Sequence, residues 1–287
     1  YLKSGTSVSA STLALNTRLY IPLKFWFCRN PGLALPLIAL QYHEVKVKVT
    51  TRDVNALVNC SEAISALANT PPTVNLWADY IYLDTDERRR FAQVSHEYLI
   101  EQVQRETGVM SSSHKLNFNH PVKELIWVIQ DDYVVKEKIT TSGARDATKN
   151  TPVSDESEGN DYFNYSTVGS TSTPEYINGQ TSEEPFGEMQ LQLNGHDRFA
   201  NRKASYFRTC QPLQAGHKVP SKHIYNYSFA LKPEEHQPSG TCNFSRIDNA
   251  AMKFTETTAT DSTLTVYAVN YNVLRIMSGM GGLAYSN

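Results

Sequence analysis

Short runs of alternating apolar and polar residues, each bounded by turn-forming residues, recur along this 287-residue chain. In "HEVKVKVTTR" (43–52), Val45, Val47 and Val49 fall on one face of an extended strand and the intervening polar residues on the other. Since side chains alternate across a strand, this period predicts a half-buried antiparallel strand. Similar runs rich in Tyr, Val, Ile and Phe occupy 18–27, 75–84, 97–106, 115–130, 188–195, 224–231, 250–256 and 262–279. We therefore expect an all-β protein.

The strand-like runs form two series with the same order, within 18–84 and within 224–276. In each series two runs flank a Pro-containing connection and precede a Tyr-rich run. Identity between the series is poor, so we interpret them as a shared topology rather than a sequence repeat. The pattern predicts the tail of one β-domain followed by a whole second one. Many short strands with long loops favour sandwiches over a single closed barrel.

The stretch "KLNFNHPVKELIWVIQ" contains a histidine that could be a ligand, a catalytic base or a turn residue. Pro121 has no N–H group, so it interrupts strand pairing and separates two strands. Beyond it, Leu125, Trp127 and Ile129 can fill one face of a sandwich, with the residues between them on the other. We interpret His120 as part of a turn.

One helix is predicted over 83–96. Asp84 or Thr85 can cap its first turn, and Asp86 and Glu87 lie where the helix dipole favours negative charge. Three consecutive arginines follow. They could contact phosphate, but the acidic residues just before them favour a solvated or domain-bridging helix.

Residues 140–187 are dominated by Ser, Thr, Asn, Gly, Asp and Glu. Within 141–188, Arg145 and Lys149 are the only bases. Such a segment cannot bury much apolar surface, so we expect long exposed loops over about 131–187. Loops of this length serve recognition or surface display, and disordered filler is the alternative. The opposing acidic residues are Asp146, Asp155, Glu156, Glu158, Asp161, Glu175, Glu183, Glu184 and Glu188.

Overall charge and hydropathy exclude several classes of protein. Lys and Arg number 27 against 29 Asp and Glu, so no global charge draws the chain to nucleic acid or anionic membrane. No run of about 18 apolar residues predicts a membrane span. The start, at Tyr1, lacks the order of a signal peptide, and we expect a fragment or a processed product.

The cysteines do not form a recognisable framework. They are far apart and include no C-x-x-C pair, which disfavours a zinc site. They are also too sparse for a disulfide-stapled domain, so free thiols in a reducing compartment are expected, with disulfides as the alternative. The four are Cys28, Cys60, Cys210 and Cys242.

The motifs of catalysis and metal binding are missing from the sequence. None of the eight histidines belongs to H-E-x-x-H, or to the H-x-H followed by Glu of a metal-binding jelly roll. Serine is plentiful but never within G-x-S-x-G. The glycines of "SGMGG" (278–282) precede no helix, and we interpret them as a flexible tail or a close-packed turn. We therefore predict no catalytic, metal-binding or cofactor-binding residue, and no cofactor.

Two further patterns concern the surface. The segment "HDRFANRKASYFR" (196–208) mixes bases with aromatics, as nucleic-acid patches do. On alternating strands, however, the aromatics would turn inward and the bases outward, toward solvent or a neighbouring subunit. We favour the subunit-interface interpretation. Sequons for N-glycosylation start at Asn164, which lies in the long loop, and, as weaker candidates, at Asn59, Asn226 and Asn243.

Four long motifs resemble the major capsid proteins of large icosahedral double-stranded DNA viruses, in particular those infecting algae. The resemblance covers nearly the whole chain outside 140–187. The motifs are "RNPGLALPLIALQYHEVKV" (29–47), "LWADYIYLDTDERRRFAQVSHEYLIEQ" (76–102), "LNFNHPVKELIWVIQ" (116–130) and "YNVLRIMSGMGGLAYSN" (271–287).

The resemblance implies a double jelly roll, that is, two tandem eight-stranded antiparallel sandwiches, with the first roll incomplete in this chain. Residues 1–93 would be the C-terminal part of the first roll plus the linking helix, and residues 94–287 the second roll. It also implies a structural, non-enzymatic protein that forms homotrimers of pseudo-hexagonal outline, which pack against neighbouring capsomers in the virion capsid.

Further partners follow from the same resemblance. Minor capsid or cement proteins would bind the inner face, a host surface receptor could be contacted through the loops, and assembly would take place in the host cytoplasm. No direct contact with nucleic acid is expected. A carbohydrate-binding β-sandwich module is the alternative, since long loops at one end of a sandwich suit sugar recognition. A metal-binding jelly-roll enzyme is the most distant.

Overall fold

The computed structural model describes residues 20–51, 73–131, 163, 165, 184–255 and 262–285. Two antiparallel sheets dominate it, and strands β4 and β9 alternate buried with more exposed residues as a sandwich requires. The strands are β1 His96–Val109, β2 Ser113–Leu116, β3 Pro121–Asp131, β4 Glu188–Leu193, β5 His196–Asp197, β6 Arg202–Lys203, β7 Tyr225–Ser228, β8 Cys242–Asn243, β9 Ala250–Thr255, β10 Ser262–Met277 and β11 Met280–Leu283.

The strands divide between the sheets as they do in a jelly roll. Sheet A has the order β1-β10-β3-β7, with β11 beside β10 and β8 beside β3. Sheet B has the order β2-β9-β4-β5, with β6 beside β4. Early and late strands therefore lie side by side, and the chain crosses repeatedly from one sheet to the other. This topology leaves β1, a strand of 14 residues, at one edge of sheet A.

The core between the sheets is aromatic. Trp127 is fully buried and lies 5.8 Å from the Tyr225 ring and 5.4 Å from the Phe207 ring, centre to centre. Leu125 and Ile129 are buried beside it. The predicted inward face of β3 is thus confirmed, and aromatic pairs at these separations add to the area they bury.

The "NHP" stretch forms a turn, as the sequence predicts. β2 ends at Leu116 and β3 begins at Pro121. His120 adopts a positive φ of 67°, and its backbone N–H donates to Ser245 Oγ at 2.8 Å. Its carbonyl accepts from the Phe244 N–H at 3.1 Å. The left-handed conformation turns the chain between the two sheets.

The predicted helix is α1, Thr85–Gln93. Asp84 caps it, since its Oδ1 accepts a hydrogen bond of 2.9 Å from the Glu87 N–H. The three arginines at 88–90 are exposed. The other helical segments are short: 3-10 turns at Trp26–Cys28, Pro31–Leu33, Leu37–Ala39 and Phe244–Arg246, a π-helix at Tyr206–Cys210, and α2 at Gln211–Gln214. Within the described residues, no helix is long and apolar enough to cross a membrane.

The structure differs from the sequence prediction before α1. Strands were predicted at 18–27, 43–52 and 75–84, yet residues 20–51 and 73–84 contain 3-10 turns and extended chain without β-pairing. The reason is that alternation alone does not make a strand, which also needs a hydrogen-bonded neighbour. The loops predicted over 131–187 lie almost wholly outside the described residues.

Truncating the central core residue tests the packing. We expect Trp127→Ala to lower the free energy of unfolding by about 3–5 kcal/mol, because the cavity it leaves cannot collapse between two sheets. The matched control is Val103→Ala on β1, whose side chain is 64% exposed, with an expected change of about 0.5 kcal/mol or less. Urea denaturation measures both. Equal effects would contradict the assignment of the core.

Candidate assembly surfaces

A β-bulge in β3 determines the chemistry of the outer face of sheet A. Opposite β10, Glu124 pairs with Val269 and Val122 with Asn270, so Lys123 is the extra residue. Two residues of a bulge oppose one on the neighbouring strand. Val122 and Leu125 both enter the core, and the two charged residues between them both reach the outer face.

Lys123 is buried in spite of its charge, with 2% of its side chain exposed. Its Nζ donates to Glu101 Oε1 on β1 at 2.8 Å and to the Pro233 carbonyl at 2.6 Å, and lies 5.5 Å from the centre of the Tyr271 ring. Arg29, from the segment before α1, reaches the other oxygen of Glu101 at 3.0 Å. One carboxylate therefore joins the N-terminal segment to two strands of the sheet.

Glu124 organises a second set of contacts on the same face. Its Oε2 lies 2.9 Å from His217 Nε2 and accepts from Asn226 Nδ2 on β7 at 3.0 Å. The other ring nitrogen of His217 lies 2.7 Å from Glu234 Oε1. The hydrogen bond to Glu124 and the charges of both carboxylates raise the pKa of His217, and burial opposes them. The imidazolium thus bridges β3 and the loop that carries Glu234.

The N-terminal segment is fixed to sheet A at the β10–β11 turn as well. The Tyr42 N–H donates to the Gly279 carbonyl at 3.0 Å, and the Gly281 N–H donates to His43 Nδ1 at 3.0 Å. Gly279 has a φ of +80°, and a Cβ there would lie 2.6 Å from the Tyr42 ring. Gly279 therefore belongs to a close-packed turn, one of the two alternatives that the sequence left open for "SGMGG", whereas Gly281 and Gly282 lie in β11.

A third charged cluster is centred on Glu184, just before β4. Arg208 donates to Glu184 through Nε at 2.8 Å and through a second nitrogen at 2.7 Å. The Tyr225 hydroxyl donates to the other Glu184 oxygen at 2.5 Å. Burial, followed by this hydrogen bond, raises the pKa of Tyr225. Residue 184, the first after the undescribed stretch, is thereby tied to β7 and to the π-helix.

The basic segment 196–208 adopts the orientation that we predicted. Phe199 and Phe207 pack on the core, whereas Arg198, Arg202 and Lys203 are exposed. The aromatic rings are therefore unavailable for stacking on bases. The interpretation of this surface as a subunit interface stays a prediction.

Apolar side chains are exposed along residues 76–82, which precede α1 in the sequence. Trp77 is 89% exposed and Tyr82 92% exposed, and Leu76, Tyr80 and Ile81 are exposed beside them. Exposed apolar side chains this close together are typical of a surface that other polypeptide covers.

The sequons differ in accessibility. Asn226 is buried in β7 with its Nδ2 bonded to Glu124, whereas a glycan acceptor must be exposed. Asn243 is exposed, and its Oδ1 caps a 3-10 turn by accepting from the Ser245 N–H at 3.1 Å. Asn59 and Asn164 lie outside the described residues. Glycosylation stays a prediction.

The remaining candidates are the cysteines and possible metal ligands. Cys28, Cys210 and Cys242 are free thiols, and Cys60 is not among the described residues. Within the described ranges no three His, Cys, Asp or Glu side chains come together as metal ligands.

The sequence reasoning missed the charged contacts of the outer face. The signal was "VKELIWV", in which two charged residues interrupt a buried strand between Val122 and Leu125. Such an interruption indicates a bulge or a buried ion pair. Their partners carry no local signal, because Glu101 lies 22 residues from Lys123 and His217 lies 93 residues from Glu124.

Comparison with known proteins defines the class. Residues 87–282 match the family model described as large eukaryotic DNA virus major capsid protein, and residues 6–84 match that of the major capsid protein N-terminus. The chain belongs to this family of structural capsid proteins, which are not enzymes, and its fold class is the double jelly roll.

Individual relatives are major capsid proteins of viruses. The chain is 45% identical over 309 residues to the major capsid protein of Pyramimonas orientalis virus, covering 99% of this chain and 65% of that protein. It is 43% identical over 322 residues to that of Paramecium bursaria Chlorella virus 1, covering 100% and 71%. The capsid structure of that virus aligns with a TM-score of 0.69 at 42% identity, over 94% of this chain and 71% of that one. The chain thus spans about two thirds of the length of such relatives.

Removing Glu101 tests the buried ion pairs. We expect Glu101→Ala to lower the free energy of unfolding by about 3–5 kcal/mol, because the Lys123 ammonium loses its carboxylate partner while buried. The double variant Glu101→Leu/Lys123→Met should recover most of that loss, since it leaves no unpaired charge in the interior and the Arg29 side chain, which also loses Glu101, is 38% exposed to solvent. Urea denaturation of both variants measures these changes in the free energy of unfolding. A double variant as unstable as the single one would show that shape, rather than charge, governs the site.

The His217 contacts predict a pH dependence. Because the folded-state pKa is raised above its ordinary value of 6.5, the contribution of His217 to stability is complete below about pH 6.5 and is lost as the pH rises through the folded pKa. Thermal unfolding of the wild type and His217→Asn from pH 5.5 to 9 should therefore converge at high pH. The control His196→Asn, on exposed β5, should leave the profile unchanged. A gap that widened with pH would contradict the sign.

Proposed function

We propose that this protein is a structural subunit of an icosahedral virus shell, with no turnover of substrate. The observation that carries the proposal is the family match over both parts of the chain, and the two antiparallel sheets of the described residues support it. A shell subunit functions through the surfaces that contact its neighbours. The ion pairs of Glu101 and Glu124 hold the segments that form these surfaces in place on sheet A.

The proposed building block is a homotrimer of pseudo-hexagonal outline. In it, residues 1–93 belong to the first roll and the linking helix, and residues 94–287 form the second roll. The Arg29–Glu101 pair and the Tyr42–Gly279 hydrogen bond support a close junction between these parts. The exposed apolar side chains at 76–82 support a further protein contact there.

The proposed partners follow from the position of a subunit in a closed shell. Neighbouring capsomers contact its flanks through repeated symmetric interfaces, each of which can be weak because many act together. Minor capsid or cement proteins bind the inner face, and the loops over 131–187 face outward, toward a host receptor. Assembly takes place in the host cytoplasm. Direct binding of nucleic acid is not part of this proposal.

The oligomeric state in solution tests the proposal. We expect light scattering after gel filtration of the full-length protein to give a single species of three times the subunit mass. The species should persist on dilution and be indifferent to a chelator, because assembly depends on protein contacts and not on a metal.

A well-folded monomer would contradict the proposed assembly. The same preparation would then be screened against a panel of glycans, since a carbohydrate-binding sandwich acts as an isolated domain. Binding of a glycan by the monomer would favour that alternative.

A further inference from the structure

The exposed side of the basic segment contains a cleft of about 380 Å³. It opens beside β6 and the π-helix, at the surface of the sandwich. Each residue of its lining carries a polar side-chain group, and several of these groups donate hydrogen bonds. The lining residues are Glu188, Asn201, Arg202, Lys203, Ser205, Tyr206, Thr209 and Cys210.

The two cations of the cleft are held in place but not neutralised. The Arg202 guanidinium carbon lies 5.3 Å from the centre of the Tyr206 ring, which restricts its orientation. Both cations belong to β6, which pairs with β4. Among the described residues neither of them forms an ion pair, although Glu188, the single carboxylate of the lining, lies opposite Lys203 in the strand pairing.

The neighbouring arginine shows the contrast. Arg208 lies on the π-helix that lines the cleft and is paired with Glu184. Arg202 and Lys203 lie on β6, and their charges are exposed to solvent. Phe199 and Phe207 pack on the core, and the Tyr206 ring, which lines the cleft, is already in contact with the Arg202 guanidinium. A ligand for this cleft must therefore be recognised through its negative charge and hydrogen-bond acceptors, not by stacking.

The chain itself contains a complementary sequence. Residues 153–162, "VSDESEGNDY", hold four carboxylates and no lysine or arginine. Small side chains between the acids let several carboxylates approach one narrow cleft. The four are Asp155, Glu156, Glu158 and Asp161.

We propose that this cleft binds the acidic segment 153–162 of a second copy of the chain. The inference rests on the proposed function, since a shell brings identical subunits side by side and makes such a heterologous contact repeat. Charge complementarity specifies which surfaces meet, and the contact is sensitive to salt because both surfaces are exposed. The segment thereby contributes a specific link between copies.

Binding of the isolated segment tests the cleft directly. A fluorescently labelled peptide of residues 153–162 is titrated with the full-length protein at low salt, and anisotropy is followed. We expect saturable binding that Arg202→Glu/Lys203→Glu weakens at least tenfold. The control Lys115→Glu/Lys253→Glu makes the same change of net charge at exposed positions of sheet B, and should alter affinity by less than twofold.

Two results would overturn the proposal at this stage. One is a peptide that does not bind, or binds the cleft variant as well as the wild type. The other is an equal loss in both double variants, which would show that only net charge matters. Thermal unfolding of both variants checks that each is folded. Because the peptide reports on the cleft alone, this result is separate from whether the protein forms trimers.

Mixing variants tests that the contact joins two copies. Association of trimers with one another is measured by sedimentation at low salt for Arg202→Glu/Lys203→Glu, for Asp155→Lys/Glu156→Lys, and for their equimolar mixture. Each variant alone should associate about tenfold more weakly than the wild type. The mixture should recover association, because the unaltered cleft of one chain meets the unaltered segment of the other. No recovery would overturn the assignment to a second copy.

Discussion

The bulge at Lys123 and Glu124 is the constraint on which the arrangement of sheet A depends. A regular strand would direct one of these charged side chains into the core, where no partner is present. The extra residue keeps Val122 and Leu125 in the core and places both charges on the outer face. Two buried charges then require partners, because an unpaired buried charge is strongly destabilising. The structure around them supplies those partners.

These partners come from separate parts of the chain, and this explains how the outer face is assembled. Arg29 arrives from the segment before α1, Glu101 from β1, and His217 and Glu234 from the connections that flank β7. Each contact is short, and each fixes a different segment against the sheet. The same network therefore stabilises the second roll and positions the N-terminal segment beside it, which is what a subunit with fixed flanks needs.

Prediction from sequence succeeded where local chemistry was sufficient. The alternation in β3 identified Leu125, Trp127 and Ile129 as core residues, Asp84 was recognised as a helix cap, and Pro121 marked the break between strands. It was wrong for the described parts of 43–52 and 75–84. There the alternation is present, but Val45, Val47 and Val49 are exposed and no strand pairs with them. Pairing depends on a neighbour that the local pattern does not contain.

The sequence by itself determined the all-β class, the approximate positions of the longer strands after the helix, the position of the helix and, through four long motifs, the capsid family. The tertiary structure alone decided which charges meet, since Glu124 and His217 are 93 residues apart. It also decided that Arg208 is neutralised by Glu184 while Arg202 and Lys203 stay exposed. The physical reason is that periodicity reports the face of a strand, whereas an ion pair depends on how distant segments pack.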